Sequence, residues 1–192
     1  MSVVSIAEAW PAPGKPFTVA ELDRMPHDGH RYELLDGALV VSPRPGNPHQ
    51  VVAFTLATAL DRVCPSEWQV VPEPSVQISP KTEFAPDLVV IRREQVQAAK
   101  CTEPPLLVVE VRSPSTALID LNRKKAAYER FGVASYWVVV PDRDEPELIA
   151  FELRDGRYHE AAHVVRDEVF ATDKPFQVEL VPSRLVARLQ QP

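Results

Sequence analysis

The chain has 192 residues, 45% of them hydrophobic and 25% charged, which suits one soluble globular domain with a substantial core. A net charge of −6 argues against a broad nucleic-acid-binding surface, which needs Lys and Arg to displace counterions. Two cysteines, Cys64 and Cys101, without a CxxC pair or a histidine cluster, exclude a disulfide framework and a structural zinc site.

No apolar run is long enough to span a membrane and no signal pattern opens the chain, so the expectation is a cytoplasmic protein. A local basic patch at Arg123, Lys124, Lys125 and Arg130 remains available to an anionic partner. Proline, at 20 residues, runs at roughly twice average usage and points to short rigid connections.

Residues 1–16 lack periodicity and read as a loose N-terminal arm, leaving 17–192 as one domain. Thr18 to Glu21 has the capping-box pattern and predicts a short helix ending near Met25. Arg31 to Ser42 is apolar on both sides of Asp36-Gly37, a two-residue hairpin signal. From Pro48 to Val63 apolar residues recur at helical spacing, with His49 in the first turn.

Trp68–Val71 and Ser75–Ile78 read as strand pieces broken by prolines. Two continuous apolar runs follow, separated by a polar stretch with room for one helical turn. A basic helix over Asp120–Phe131 stops at Gly132, and Ser135–Val140 is a further buried strand. Antiparallel strands around Asp155-Gly156 complete the tail. This order of elements predicts an α/β or α+β fold, a mixed sheet with helices packed on it.

The chemistry concentrates in the two apolar runs. In Pro86-Asp87-Leu88-Val89-Val90-Ile91 an acid opens the run; in Leu106-Leu107-Val108-Val109-Glu110-Val111 an acid interrupts it. A strand buried on both faces tolerates a carboxylate only when it is paired or holds a metal. Two adjacent strands carrying such acids make a hard, oxygen-rich site suited to magnesium.

Tyr32-Glu33-Leu34-Leu35-Asp36-Gly37, His49, the Asp87 and Glu110 strands, Ser113-Pro114-Ser115-Thr116, Asp120 with Lys124 and Tyr128, and Gly132 to Trp137 stand in a specific order. Over about residues 17–185 the chain resembles the Uma-two-type restriction endonuclease family of the PD-(D/E)xK nuclease superfamily. The resemblance implies a restriction-endonuclease-like core, a mixed sheet flanked by helices, and Mg2+-dependent hydrolysis of phosphodiesters, with Mn2+ as a substitute. It implies that Asp87, Glu110 and the Val111 carbonyl hold the metal, with Glu33 as an accessory carboxylate. His49 is a further candidate in the catalytic set.

The superfamily lysine sits two residues after the second acid, where this chain has Arg112. Lys124 on the following helix matches the family instead, with Lys125 as its neighbouring rival. Arg112 cannot serve as a base, because its pKa is too high. A second departure is Val140-Pro141, where relatives carry Asp-Pro; Asp142 follows two places later.

Each residue also has a plainer explanation. Asp87 could cap the loop after Pro86, and Glu110 could be an ion-pair partner of Arg112 or Lys124. Glu33 could be an exposed strand residue, Lys124 an i,i+4 partner of Asp120, and Tyr128 and Trp137 core residues. Ser113 and Ser115 fit helix caps.

The expected function is a magnesium-dependent endonuclease that hydrolyses nucleic acid, with DNA the leading substrate. The alternatives are a non-catalytic nuclease-fold interaction module and a hydrolase of small phosphodiesters. A homodimer is expected to use the apolar tail from Phe170 to Leu189.

Overall fold

The computed structural model describes residues 14–112 and 118–189, with side chains of the helix that begins at Leu118 described from Asn122 onward. Most of the expected N-terminal arm, and Ser113 and Ser115, lie outside the described residues.

The two acid-bearing apolar runs form neighbouring strands of a six-stranded sheet. β3 (Trp68–Pro72) pairs antiparallel with β6 (Leu88–Arg92), and β6 antiparallel with β7 (Leu107–Val111). β7 then pairs parallel with β8 (Ser135–Val140), and α3 (Leu118–Phe131) makes the crossover between them. A parallel pair requires such a connection, because a tight turn only reverses the chain. β9 (Glu147–Arg154) and β10 (Arg157–Val165) extend the sheet as a hairpin, giving the order β10-β9-β8-β7-β6-β3.

Both faces of this sheet are covered. Leu88, Val90, Leu107, Val109 and Val111 pack toward α2 (Asn47–Asp61), with Val52, Leu56 and Leu60 of that helix against them. Val89, Ile91 and Val108, of opposite parity, join Ala127 and Tyr128 of α3 with Tyr136 and Val138 of β8. Burial on two faces explains why the runs are continuously apolar rather than alternating. Each such side chain removed from water stabilises the fold by about 1.5–3 kcal/mol.

A second sheet brings a third carboxylate to the first. β1 (His30–Leu35) pairs with β2 (Ala38–Pro43) through Asp36 and Gly37, whose φ values of 50° and 82° are the left-handed pair a tight hairpin requires. Gly37 is needed twice over, since a Cβ there would lie 2.6 Å from Pro16 Cβ. On its other edge β1 meets β5 (Thr82–Phe84), which pairs with β4 (Val76–Ser79). The order is β2-β1-β5-β4.

Mixed sheets flanked by helices are therefore the architecture, as expected, with several differences of detail. The first helix, α1 (Val19–Leu22), is shorter than its capping box suggested, although Glu21 does accept the Thr18 N–H at 2.8 Å. The strand pieces on either side of Pro74 go to different sheets, and β5 is too short and polar to leave a periodic signal.

The apolar tail forms β11 (Phe170–Thr172), β12 (Val178–Leu180) and α4 (Pro182–Val186). Phe170, Phe176, Val178, Leu180, Leu185 and Val186 are buried in the chain's own core. These six side chains are thus part of the chain's own core, while Glu179, Arg184 and Arg188 of the same tail are exposed. Among the described residues no helix is long and apolar enough to cross a membrane.

Candidate active site: a buried lysine between two glutamates, beside Asp87

Antiparallel pairing sets Leu88 opposite Val109, so Asp87, one residue before β6, falls across from Glu110. Glu110 has the parity of Val108 and points to the α3 face. There it meets Lys124 and Tyr128, one turn apart on the helix. Lys124 Nζ donates to Glu110 Oε1 at 3.3 Å and to Glu33 Oε1 at 2.7 Å. Tyr128 hydroxyl lies 3.3 Å from the same Glu110 oxygen. Glu33 arrives from β1, and its Oε1 also accepts the Ala85 N–H at 2.9 Å, fixing the segment that leads into Asp87.

Asp87 is 2% exposed, Glu33 and Glu110 are each 5% and Lys124 is 9%, so the whole cluster is out of bulk water. Three charged carboxylates this close are tolerable only with compensating cations.

The electrostatics follow from that crowding. Burial pushes the Glu110 carboxyl up to about 7; Lys124 opposes this, while Asp87 and Glu33 reinforce it. Burial by itself would lower the Lys124 ammonium, but Glu110 and Glu33 outweigh it and hold the lysine firmly protonated. Tyr128 is driven well above its ordinary range by burial and by the two glutamates.

Asp87 has its own set of partners. Its Oδ2 accepts the Val111 N–H at 2.7 Å and lies 3.2 Å from His49 Nε2. Its Oδ1 accepts from Arg31 Nη1 at 3.3 Å. Burial would raise this carboxyl, but His49, Arg31 and the Val111 amide together keep it below its usual value. The Asp87 charge reciprocally lifts His49 against the effect of burial.

His49 Nε2 also lies 2.9 Å from the Val111 carbonyl, while its Nδ1 is buried without a partner among the described residues. Sequence reasoning missed Arg31, which spans Asp87 and, through Nη2 at 3.1 Å, Glu73. Arg31 and Glu33 are two apart on one strand and share a face, but that alone did not single out the arginine.

All five side chains singled out in the sequence, Glu33, His49, Asp87, Glu110 and Lys124, therefore meet at one end of the large sheet, together with the Val111 backbone. Several simpler explanations fall away. Glu33 is buried rather than an exposed strand residue, and Lys124 is turned inward, so it leaves the basic surface patch. The ion pair between Glu110 and Lys124 is real, but it is one edge of a larger cluster.

Lys125 is not an equivalent of Lys124, because its Nζ sits 3.5 Å over the Phe151 ring, away from the carboxylates. Asp142 does not replace an acid at Val140. It is exposed, and its Oδ1 accepts the N–H groups of Asp144 and Glu145 at 2.8 and 2.9 Å, so it shapes the loop.

The fold has a counterpart among solved structures. The chain superposes with a TM-score of 0.73 on a crystal structure described as a "putative nuclease belonging to DUF820" from Anabaena variabilis ATCC 29413. The match covers 91% of this chain and 99% of that one at 16% identity, a likeness of fold. No curated protein matches the sequence. The sequence model of the Uma2 family, described as "Putative restriction endonuclease", matches residues 19–185, and the chain belongs to that family.

Proposed function

We propose that this protein is a divalent-metal-dependent endonuclease that hydrolyses phosphodiester bonds of nucleic acid. The observation that carries the reading is the meeting of Asp87 and Glu110, buried and opposed across β6 and β7, with a buried Lys124. Family membership supplies the substrate class.

The donor chemistry fits a hard cation. Asp87, Glu110 and the Val111 carbonyl offer oxygen only, the set that suits Mg2+ or Mn2+. Among the described residues no three His, Cys, Asp or Glu side chains form a metal-holding group; the Val111 carbonyl is the third donor that the family resemblance implies. The Glu110 carboxyl is raised first by burial and then by the Asp87 and Glu33 charges, and a nearby cation would favour its ionised form. When bound, the ion supplies Lewis acidity toward the phosphoryl group and acidifies water.

The protein's own groups divide the remaining work. Lys124, held protonated by Glu33 and Glu110, is a fixed positive charge for the phosphoryl oxygens and not a general base. Glu33 positions it, with Ala85 N–H and Lys124 sharing its Oε1. Glu110 would be held ionised as a ligand once a cation is bound, and the Tyr128 hydroxyl, 3.3 Å from its Oε1, orients its carboxylate. His49 and Arg31 fix Asp87 before any ligand arrives.

One feature favours the rival reading of a non-catalytic nuclease-fold module: both Asp87 oxygens are engaged by protein groups. Calorimetric titration with Mn2+ separates the two. Wild type is expected to bind and Asp87→Ala to lose binding, after which a cleavage screen on DNA and RNA should show turnover in wild type alone. A folded wild type that neither binds Mn2+ nor cuts in its presence overturns the enzyme reading.

Arg31 provides a second check. Removing its charge beside Asp87 deepens the negative field, so Arg31→Met should bind Mn2+ ~10-fold more tightly. Weaker binding would mean that Arg31 organises Asp87 rather than competing with the ion.

A further inference from the structure

The outer face of α2 carries a continuous groove that leads away from Asp87. Its first section is a cleft of about 460 Å3 bounded by Asp87, Glu73, Gln50, Gln69 and Phe54. Its second, of about 590 Å3, is bounded by Phe54, Thr58, Arg62, Glu179, Arg184 and Arg188. Phe54 and Thr58 line both, so the sections join across the Phe54 ring.

The helix explains this geometry. His49, Val52, Ala53, Leu56 and Leu60 form its buried stripe, and Gln50, Phe54, Thr58 and Asp61 recur at i+4, i+8 and i+11 on the opposite side. Phe54 is 64% exposed there, far more than an aromatic spared for the core.

We infer that this groove is the path of a single-stranded segment of nucleic acid flanking the scissile phosphodiester, with a base stacked on Phe54 and phosphates held by Arg62, Arg184 and Arg188. The charge distribution sets that polarity. Near Asp87 the walls carry Glu73 and Asp61, which repel phosphate, and two amide side chains, Gln50 and Gln69, which suit base edges. At present those amides donate to Glu73 and to Asp61 or the Val70 carbonyl.

At the far end three exposed arginines outnumber Glu179, and among the described residues none of the three has an ion pair. Gln50 to Arg62 spans ~18 Å of helix, long enough for several nucleotides. A single strand is favoured over a duplex because Phe54 can stack only on a base whose face is uncovered. It also reconciles a net charge of −6 with a polyanionic ligand, since phosphate binding is confined to one arginine cluster.

The choice of ligand rests on the nuclease reading, so the test measures binding with EDTA present, where turnover plays no part. Fluorescein-labelled single-stranded DNA and RNA oligonucleotides and a blunt duplex are titrated by anisotropy against wild type, Phe54→Ala and the double variant Arg184→Glu/Arg188→Glu. Circular dichroism and urea midpoints confirm folding of each protein.

Phe54→Ala should weaken single-strand binding by roughly 5- to 150-fold. The arginine reversal should weaken it at least ~10-fold and flatten the salt dependence by ~1.4 in log–log slope, about 0.7 for each phosphate no longer neutralised. The duplex should bind less tightly than the single strands. The DNA and RNA arms identify the sugar.

Unchanged affinity in both folded variants overturns the inference, as does a wild type that binds none of the oligonucleotides. Variants that disperse a wild-type oligomer while leaving oligonucleotide affinity intact assign the face to a second copy of the chain and overturn it too. A protein that binds along this groove but never cuts keeps the path and loses the hydrolytic reading.

Discussion

Lys124→Met is expected to destabilise the protein by about 3–5 kcal/mol at pH 8, the cost of leaving buried charges without their partner. The lysine is the shared counterion of Glu33 and Glu110, both about nineteen-twentieths buried. Methionine matches its length and apolar stem, so packing against Phe84 changes little and the electrostatic loss dominates. An ordinary surface lysine of α3 would cost a few tenths of a kcal/mol at most. The magnitude therefore distinguishes a buried keystone from a solvated helix residue.

The pH dependence of that loss is fixed in sign. Burial, Asp87 and Glu33 raise the Glu110 carboxyl, and Lys124 is the group that lowers it. With the lysine removed, the folded-state pKa climbs above about 7, while the unfolded value stays at the ordinary 4.5. The folded variant then binds more protons than the unfolded chain, so its stability falls as pH rises through that window and recovers on acidification.

Urea unfolding at pH 5 and pH 8 measures this directly, and the deficit should shrink markedly at pH 5. Adding Glu110→Gln to Lys124→Met should restore part of the loss, giving a coupling energy between the two sites. A deficit below ~1 kcal/mol and independent of pH would show the cluster to be solvated.

How much of this could be read from the residues depends on the range over which the determinants act. β6, β7 and β8 were legible because each is a short apolar run buried on both faces, and an acid inside such a run stands out against its neighbours. The α2 helix declared itself through 3.6-residue spacing. Arg31 did not, because an arginine on a half-exposed strand is unremarkable until Asp87, 56 residues later, is folded beneath it.

β5 was missed for a related reason. Thr82, Glu83 and Phe84 are all buried, yet Thr82 is satisfied by Asp36 and Glu83 by Lys100, partners far away in the chain. The tail's hydrophobicity was plain, but hydrophobicity alone does not say which of its side chains close the chain's own core; Phe170 against Trp137 is one that does. Lys124 was placed by family pattern, whereas Glu33 as its main partner required the second sheet to fold against the first.

Glu110→Gln should separate function from stability more sharply than any other single change. The amide keeps the shape and can still accept from Lys124 and Tyr128, but it lacks the charge. In the parent, Glu110 titrates near 7 in the fold and 4.5 in a free chain, so holding it ionised above neutral pH costs up to about 3 kcal/mol. Substitution removes that cost, and the protein should become more stable at pH 8 by an amount that fades toward pH 5. Retained attraction between Lys124 and Glu33 keeps the lysine paired.

Metal binding should fail in the same variant, because one of two carboxylate donors is gone and an amide oxygen is a weak substitute for Mg2+ or Mn2+. Cleavage should fall by at least ~10³-fold, the scale on which removing a group that stabilises transition-state charge acts. A structural glutamate predicts the reverse, a loss of stability with Mn2+ binding intact. Calorimetry and urea unfolding on one preparation therefore decide whether this carboxylate is kept in the core at a cost because the ion needs it, or because the fold does.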